Sequence, residues 1–229
     1  MIQSTFAPSL PQEPENKQQQ VYRQMRDAIT RGQFPPGTVM VERKLCDLYG
    51  VSRSPIRNAL QQLTFEGFLS YQPGKGTVVP EFTLEDILEV YDLIEVLQLY
   101  AARLCIHRLD TASADAMEHI MSQMEDALAR DDLFACAQWD QRLHEFLISN
   151  SGNHRLQTLF DQLHNQQVRF IARTLEDREQ HVRSCREHRA ICDKILARDI
   201  AGAEAAIRYH YDCLRRYYIN LLLSRERLL

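Results

Sequence analysis

The chain has 229 residues and a formal net charge of −4; 45% of its residues are hydrophobic and 25% are charged. This length allows one small and one medium domain, each with its own apolar core. No apolar run approaches the roughly 18 residues that a membrane span requires, so the composition excludes a transmembrane segment and we expect a cytoplasmic protein.

The first 80 residues differ in charge from the rest of the chain. They contain nine Lys and Arg against six Asp and Glu, a balance of +3, whereas the later residues contain eighteen against twenty-five, a balance of −7. A local basic excess is typical of a segment that binds nucleic acid. Residues 1–17 are rich in Gln, Pro and Ser and are predicted to form a flexible arm.

Two short amphipathic helices are predicted after the arm. The first covers residues 18–31, and a linker with two adjacent prolines prevents it from continuing. The second covers residues 41–49, with Leu45 and Leu48 expected to face the core.

A third helix, ending near Glu66, carries the side chains best suited to reading DNA. Ser52 or Ser54 is positioned to cap it, and Arg53 and Arg57 lie one turn apart on the face opposite its apolar stripe. Arginines near the N-terminus of an exposed helix suit guanine and phosphate contacts in the major groove. The alternative is that the two arginines only solvate a surface helix.

A hairpin follows the third helix. Residues 68–72 and 77–79 alternate as short strands do, and the connection Pro73–Gly76 is small and basic. Three helices followed by a hairpin predict a winged helix-turn-helix DNA-binding domain over residues 18–80.

This stretch resembles the amino-terminal domain of GntR-family transcription regulators. The resemblance is carried by the run PPGTVMVERKLCDLYGVSRSPIRNALQQLTFEGFL and by the wing GKGTVV. It implies DNA contacts by residues of the second helix, the third helix and the wing, namely Arg43, Ser52, Arg53, Ser54, Arg57, Gly74, Lys75 and Gly76. The serines would mainly hold phosphates and would position the third helix.

Residues 81–229 are predicted to form an antiparallel α-helical bundle, so the fold class is mainly α. Glycines are few, and no segment shows a convincing strand pattern. The six predicted helices cover residues 84–107, 113–130, 133–149, 154–175, 178–197 and 200–224.

Four residues of the bundle indicate a metal site. Asp140 and His144 are one helical turn apart, and His188 and His210 are nearly equidistant from the turn between the last two helices. Three imidazoles and a carboxylate suit a borderline divalent ion. The alternative is that these are ordinary core or surface histidines, and we interpret His107, His119, His154, His164 and His181 in that way.

The segments WDQRLHEFLISNSGN, REHRAICDKILARD and AEAAIRYHYD resemble the FCD effector domain of the FadR branch of the GntR family. In the metal-containing, six-helix members, the positions equivalent to Asp140, His144, His188 and His210 bind the ion. The resemblance therefore implies one divalent ion per chain, with zinc as the first choice and nickel or manganese as alternatives.

One departure from the family pattern concerns the effector. Ile94 stands where many members place an arginine that holds the effector's carboxylate, and Gln98 replaces an acidic residue. Asn165 and Arg169 are candidates to contact an anion in its place, and with Gln98 they are the predicted effector-binding residues.

The sequence hypothesis is a homodimeric transcriptional regulator, most simply a repressor, without enzymatic activity. It would bind a short pseudo-palindromic operator in double-stranded DNA and respond to a small metabolite, expected to be an organic acid, at or near the metal. The alternatives are a metal-dependent hydrolase, because an open coordination position can activate water, and an architectural DNA-binding protein.

Overall fold

A computed structural model describes residues 17–81, 83–171 and 177–226; the side chains of residues 168–171 and 222–226 are not described. The predicted arm therefore lies outside the described residues, except for Lys17, with which the first helix begins. The described residues contain a two-stranded sheet and nine helices, so the fold is mainly α, as predicted. None of the described helices has the length and apolar character needed to cross a lipid bilayer.

The amino-terminal module is a winged helix-turn-helix. Its elements are α1 (Lys17–Thr30), α2 (Glu42–Tyr49), α3 (Arg53–Phe65), β1 (Ser70–Gln72) and β2 (Gly76–Val78). The two strands pair antiparallel, with Ser70 opposite Val78. An isolated bridge between Val39 and Val78 attaches the wing to the segment before α2.

The apolar stripes of the three helices meet in one small core. Val21 and Met25 of α1 pack with Ile56 and Leu63 of α3. Leu45 of α2 joins this core, but Leu48 is 64% exposed, so the prediction that it faces inward was wrong. A helix of eight residues has only two turns, and the core covers only one side of α2.

Six helices form the carboxyl-terminal bundle. They are α4 (Leu84–Arg108), α5 (Thr111–Ala129), α6 (Leu133–Asn150), α7 (His154–Ile171), α8 (Arg178–Leu196) and α9 (Ile200–Glu226). Helix α4 packs against α6, α7 and α9, and α8 packs against α5, α6 and α9. A capping box between Thr83 and Asp86 begins α4.

Two arginines hold α9 in place. Arg198, in the left-handed conformation between α8 and α9, donates to the carbonyl oxygens of Ile106 and Leu109 at the end of α4. Arg215 of α9 donates to Glu95 of α4 at 2.7 Å. These contacts hold the turn between α8 and α9, and α9 itself, against α4.

Candidate metal centre and DNA-binding surface

Three histidines from three helices converge in the core of the bundle. His144 lies on α6, His188 on α8 and His210 on α9, and all three side chains are buried. One ring nitrogen of each lies within 4.8 Å of the others. The ring centroids of His188 and His210 are 4.4 Å apart, so the two antiparallel helices do bring these residues to the same height.

Asp140 lies beside the three histidines rather than among their converging nitrogens. Its Oδ1 is 3.0 Å from Nδ1 of His188 and accepts a hydrogen bond from the Ser184 hydroxyl, also at 3.0 Å. Its Oδ2 is 3.8 Å from Nε2 of His144. The carboxylate thus contacts two of the three histidines, and its role as a direct ligand stays a prediction.

The ring nitrogens have the chemistry that a metal ion needs. Nε2 of His144 lies 3.2 Å from Nε2 of His188, and Nε2 of His210 is buried without a hydrogen-bond partner among the described residues. A buried nitrogen without a partner costs free energy, which a metal ion would offset by accepting its lone pair. The three histidines could therefore hold a borderline divalent ion.

Burial also favours the protonation state that binds metal. It lowers the pKa of His144 well below its ordinary value, and the proximity of the His188 imidazole adds to this effect. Burial likewise lowers the pKa of His210. Burial alone would raise the pKa of Asp140, but the three nearby histidines outweigh it and hold that pKa below its usual range. His144 and His210 are therefore neutral at pH 7, as metal ligands must be.

These shifts predict that the metal-free protein is sensitive to acid. Because the pKa values of His144 and His210 are lower when folded than when unfolded, the unfolded chain takes up more protons below about pH 6.5. Stability should fall as the pH decreases from 7.5 to 5.5, as measured by urea denaturation in the presence of a chelator. A His144→Asn variant should lose less stability over this interval, and an equal loss in both proteins would contradict the assignment.

A cavity of about 50 Å³ adjoins His144 and His210, which is room for one or two water-sized groups. Several side chains that carry polar groups line it beside these two histidines and Asp140: Tyr91, Gln167, Gln180, His181, Ser184, Tyr217 and Tyr218. Such a lining offers hydrogen bonds to a ligand that binds beside the ion.

The predicted effector residues fall in different places. Gln98 is buried and donates from Nε2 to the backbone oxygen of His144 at 3.2 Å, so it supports the helix that carries this histidine. It does not appear among the described lining residues, and neither does Asn165. The side chain of Arg169 lies outside the described residues. Ile94 is fully buried in the apolar core.

Among the described side chains of α7, Gln167 reaches the cavity, and the sequence interpretation missed it. Leu156, Phe160, His164 and Gln167 recur at helical spacing and are buried, whereas Asn165 lies off this stripe. His164, expected to be structural or on the surface, is buried, and its Nδ1 lies 3.1 Å from Oε1 of Gln167. Helical periodicity was the signal that could have identified Gln167.

Most of the predicted DNA contacts are exposed on the winged module. Arg53, Ser52 and Ser54 are exposed at the beginning of α3, while Ile56 and Leu63 on its other face are buried. Ser52 occupies the N-cap position, but its side chain makes no capping hydrogen bond, which leaves the hydroxyl available.

The other residues predicted to contact DNA differ in whether they already have a partner within the protein. Arg43 on α2 and Lys75 at the wing tip are exposed. Gly74 and Gly76 adopt φ angles of 80° and 89°, which only glycine tolerates easily. Nε of Arg57 donates to both carboxylate oxygens of Glu42, at 2.8 and 3.0 Å. Arg57 therefore already joins α3 to α2 and must exchange or share this partner to contact DNA.

Comparisons with known proteins agree with this architecture. Residues 17–79 match the family described as bacterial regulatory proteins, gntR family, and residues 89–212 match the FCD domain. An uncharacterized HTH-type transcriptional regulator, YdhC of Bacillus subtilis, is 28% identical over 85% of this chain and 88% of its own length. The HTH-type transcriptional repressor GlaR of Escherichia coli is 27% identical over 82% and 90%. The solved structure of E. coli McbR/YncC covers 91% of this chain and all of its own, with a TM-score of 0.77 and 16% identity, which shows a shared fold.

Proposed function

The chain belongs to the gntR family of bacterial regulatory proteins and carries an FCD domain, and from this premise we propose that a small metabolite bound at a metal-centred cavity controls its operator affinity. It is a DNA-binding transcriptional regulator. The convergence of three buried histidines next to a cavity with several polar side chains in its lining carries the proposal. We further propose that it acts as a cytoplasmic repressor, and not as a hydrolase or an architectural DNA-binding protein.

The winged module would read the operator with α3. Its exposed Arg53 would enter the major groove with the serines on phosphates, and the wing tip at Lys75 would follow the neighbouring backbone. Glu42 would release or share Arg57 as phosphates approach, because a phosphate competes with the carboxylate for the same guanidinium.

The ion would be held by His144, His188 and His210, with Asp140 as a further ligand or as the partner of His188. A bound divalent ion supplies positive charge and open coordination positions, which suit the oxygen atoms of an organic acid. Gln167 and Ser184 would then hydrogen-bond the rest of the ligand. Zinc is the proposed ion, with nickel and manganese as alternatives.

The small size of the cavity supports a coupling between ligand binding and the conformation of the protein. A space of about 50 Å³ does not admit an organic acid unless the lining moves, because packed interiors contain little spare volume. Helix α7 is placed to transmit such a movement. Gln167 lines the cavity, while the preceding Gln166 touches the winged module at Gly67, where an added Cβ would lie only 3.3 Å from Cγ of Gln166.

A homodimer is part of the proposal, and α4 offers a surface for it. Leu93, Val96 and Tyr100 recur at helical spacing and are 55%, 62% and 49% exposed. An apolar stripe of this kind is typical of a helix that packs against a partner. A two-fold pair would place two α3 helices on the two halves of a pseudo-palindrome.

Val96→Glu is expected to convert the dimer to a monomer, because a charge in the middle of the stripe cannot be desolvated without cost. Light scattering during size-exclusion chromatography should give a mass near twice the 26.7 kDa chain for the wild type and near one chain for the variant. Phe134→Glu on α6, where the phenylalanine is 54% exposed, is the matched control and should stay dimeric. A dimeric Val96→Glu protein would remove α4 from the interface.

The proposed function is tested first by selecting genomic fragments with the zinc-loaded protein. We expect a salt-sensitive complex with a short sequence of approximate two-fold symmetry. A metabolite panel is then screened by thermal shift, and organic acids that raise the melting temperature only in the metal-loaded form are the expected effectors. Failure to enrich any sequence, or stabilisation that is independent of the metal, would contradict the proposal.

A further inference from the structure

Glu187 lies next to the metal centre, and none of the sequence motifs assigned it a role. Its carboxylate Oε2 is 2.8 Å from Nδ1 of His210, and the Glu187 side chain is only 9% exposed. We propose that Glu187 is a positioning residue that makes Nε2 the metal-binding atom of His210. This inference rests on the metal site of the proposed function and adds to it the carboxylate behind one ligand.

The direction of the hydrogen bond follows from the chemistry of the two groups. An ionised carboxylate can only accept, so Nδ1 of His210 must carry the proton that it donates. In a neutral imidazole the other nitrogen then holds the lone pair. This other nitrogen, Nε2, is the buried atom without a hydrogen-bond partner among the described residues, and the His210 ring lies against the rings of His144 and His188.

The position of Glu187 in the chain links two of the candidate ligands. Glu187 immediately precedes His188 on α8, so one helix turn supplies both a candidate ligand and the carboxylate that orients another. The contact between Glu187 and His210 also joins α8 to α9 beside the metal centre.

His188, on the other side of the metal centre, also has a carboxylate at its Nδ1. Oδ1 of Asp140 lies 3.0 Å from Nδ1 of His188, and Ser184 donates to that same oxygen. Two of the three histidines thus have a carboxylate at Nδ1 and direct Nε2 inward. A carboxylate in this position fixes the tautomer and raises the basicity of the ligand nitrogen, and its removal typically weakens metal binding about 10- to 100-fold.

The test compares Glu187→Ala, Glu187→Gln and the wild type in zinc affinity, measured by competition with a chromophoric chelator. Glu187→Ala is expected to bind zinc about 10- to 100-fold more weakly. Glu187→Gln keeps an acceptor for Nδ1–H at similar volume and should lose less. Glu179→Ala, which removes an exposed carboxylate from the first turn of the same helix, is the matched control and should bind as the wild type does.

A second measurement reports on the tautomer directly. In metal-free protein labelled with ¹⁵N-histidine, NMR should show His210 protonated at Nδ1 in the wild type and in Glu187→Gln, and a mixture of tautomers in Glu187→Ala. Unchanged zinc affinity and an unchanged tautomer in Glu187→Ala would overturn the role of Glu187 while leaving the metal site intact. A wild-type protein that binds no zinc would instead overturn the metal site, and this inference with it.

Discussion

Replacing His188 or His210 with alanine is expected to abolish the stabilisation of the protein by zinc. Both side chains are buried, and each would supply one of the three nitrogens that converge on a common point. Free zinc at 100 times its dissociation constant adds about 2.7 kcal/mol to the free energy of unfolding of the wild type. For a chain of this length that corresponds to a rise in melting temperature of roughly 5 to 11 °C. A protein with one ligand fewer should show almost none of this rise.

The relevant quantity is the difference between melts recorded with zinc and with a chelator. Each substitution also leaves a cavity in the core, and the loss of packing affects both melts equally, so it cancels in the difference. His154→Ala, at the exposed beginning of α7, is the matched control and should respond to zinc as the wild type does. One zinc per chain in both core variants, measured by elemental analysis, would contradict the site.

The second large effect is expected at the DNA-binding surface. Arg53→Ala should weaken operator binding by about 1 to 3 kcal/mol, or roughly 5- to 150-fold, if the arginine makes one bidentate contact to a base. The side chain is exposed and has no hydrogen-bond or ion-pair partner among the described residues, so its removal leaves the winged module intact. Fluorescence anisotropy with the selected operator measures the change, and the melting temperature should be unaltered.

Two further variants distinguish a contact between Arg53 and a base from the general attraction between basic residues and DNA. Arg155→Ala removes an exposed arginine of the bundle, on α7, and should leave operator affinity unchanged. Arg57→Ala should cost less than Arg53→Ala, since Arg57 must first exchange its Glu42 partner in the wild type. Operator affinity equal to that of the wild type in Arg53→Ala would reject α3 as the reading helix.

Much of this architecture could be predicted from local sequence. All six bundle helices are confirmed, with ends near the predicted ones except for the predicted end of the fourth at residue 175, which lies outside the described residues, because apolar residues at helical spacing are a local signal. The turn around Arg198 and the equal distances from it to His188 and His210 were enough to expect that these two rings approach each other. The prediction that Leu48 faces the core was wrong because an apolar residue on a short helix does not reveal how far the core extends.

The cavity could be predicted less well, since its lining depends on packing between helices. Asn165 was favoured for its chemistry, yet the buried stripe of α7 passes through Gln167. Glu187 was missed because no motif marks a residue that acts through its neighbour on another helix. Asp140 was predicted as a ligand, and only the folded arrangement shows that its carboxylate also meets Nδ1 of His188.

The central claim is that occupancy of the metal-centred cavity changes the affinity of the winged module for DNA. Its most direct test is fluorescence anisotropy of the operator with zinc-loaded protein, in the presence and absence of an organic acid that raises the melting temperature. We predict a change in dissociation constant of at least about fivefold for the wild type, and none for His188→Ala. Identical operator affinity with and without every such acid, or a change that persists in His188→Ala, would contradict the account.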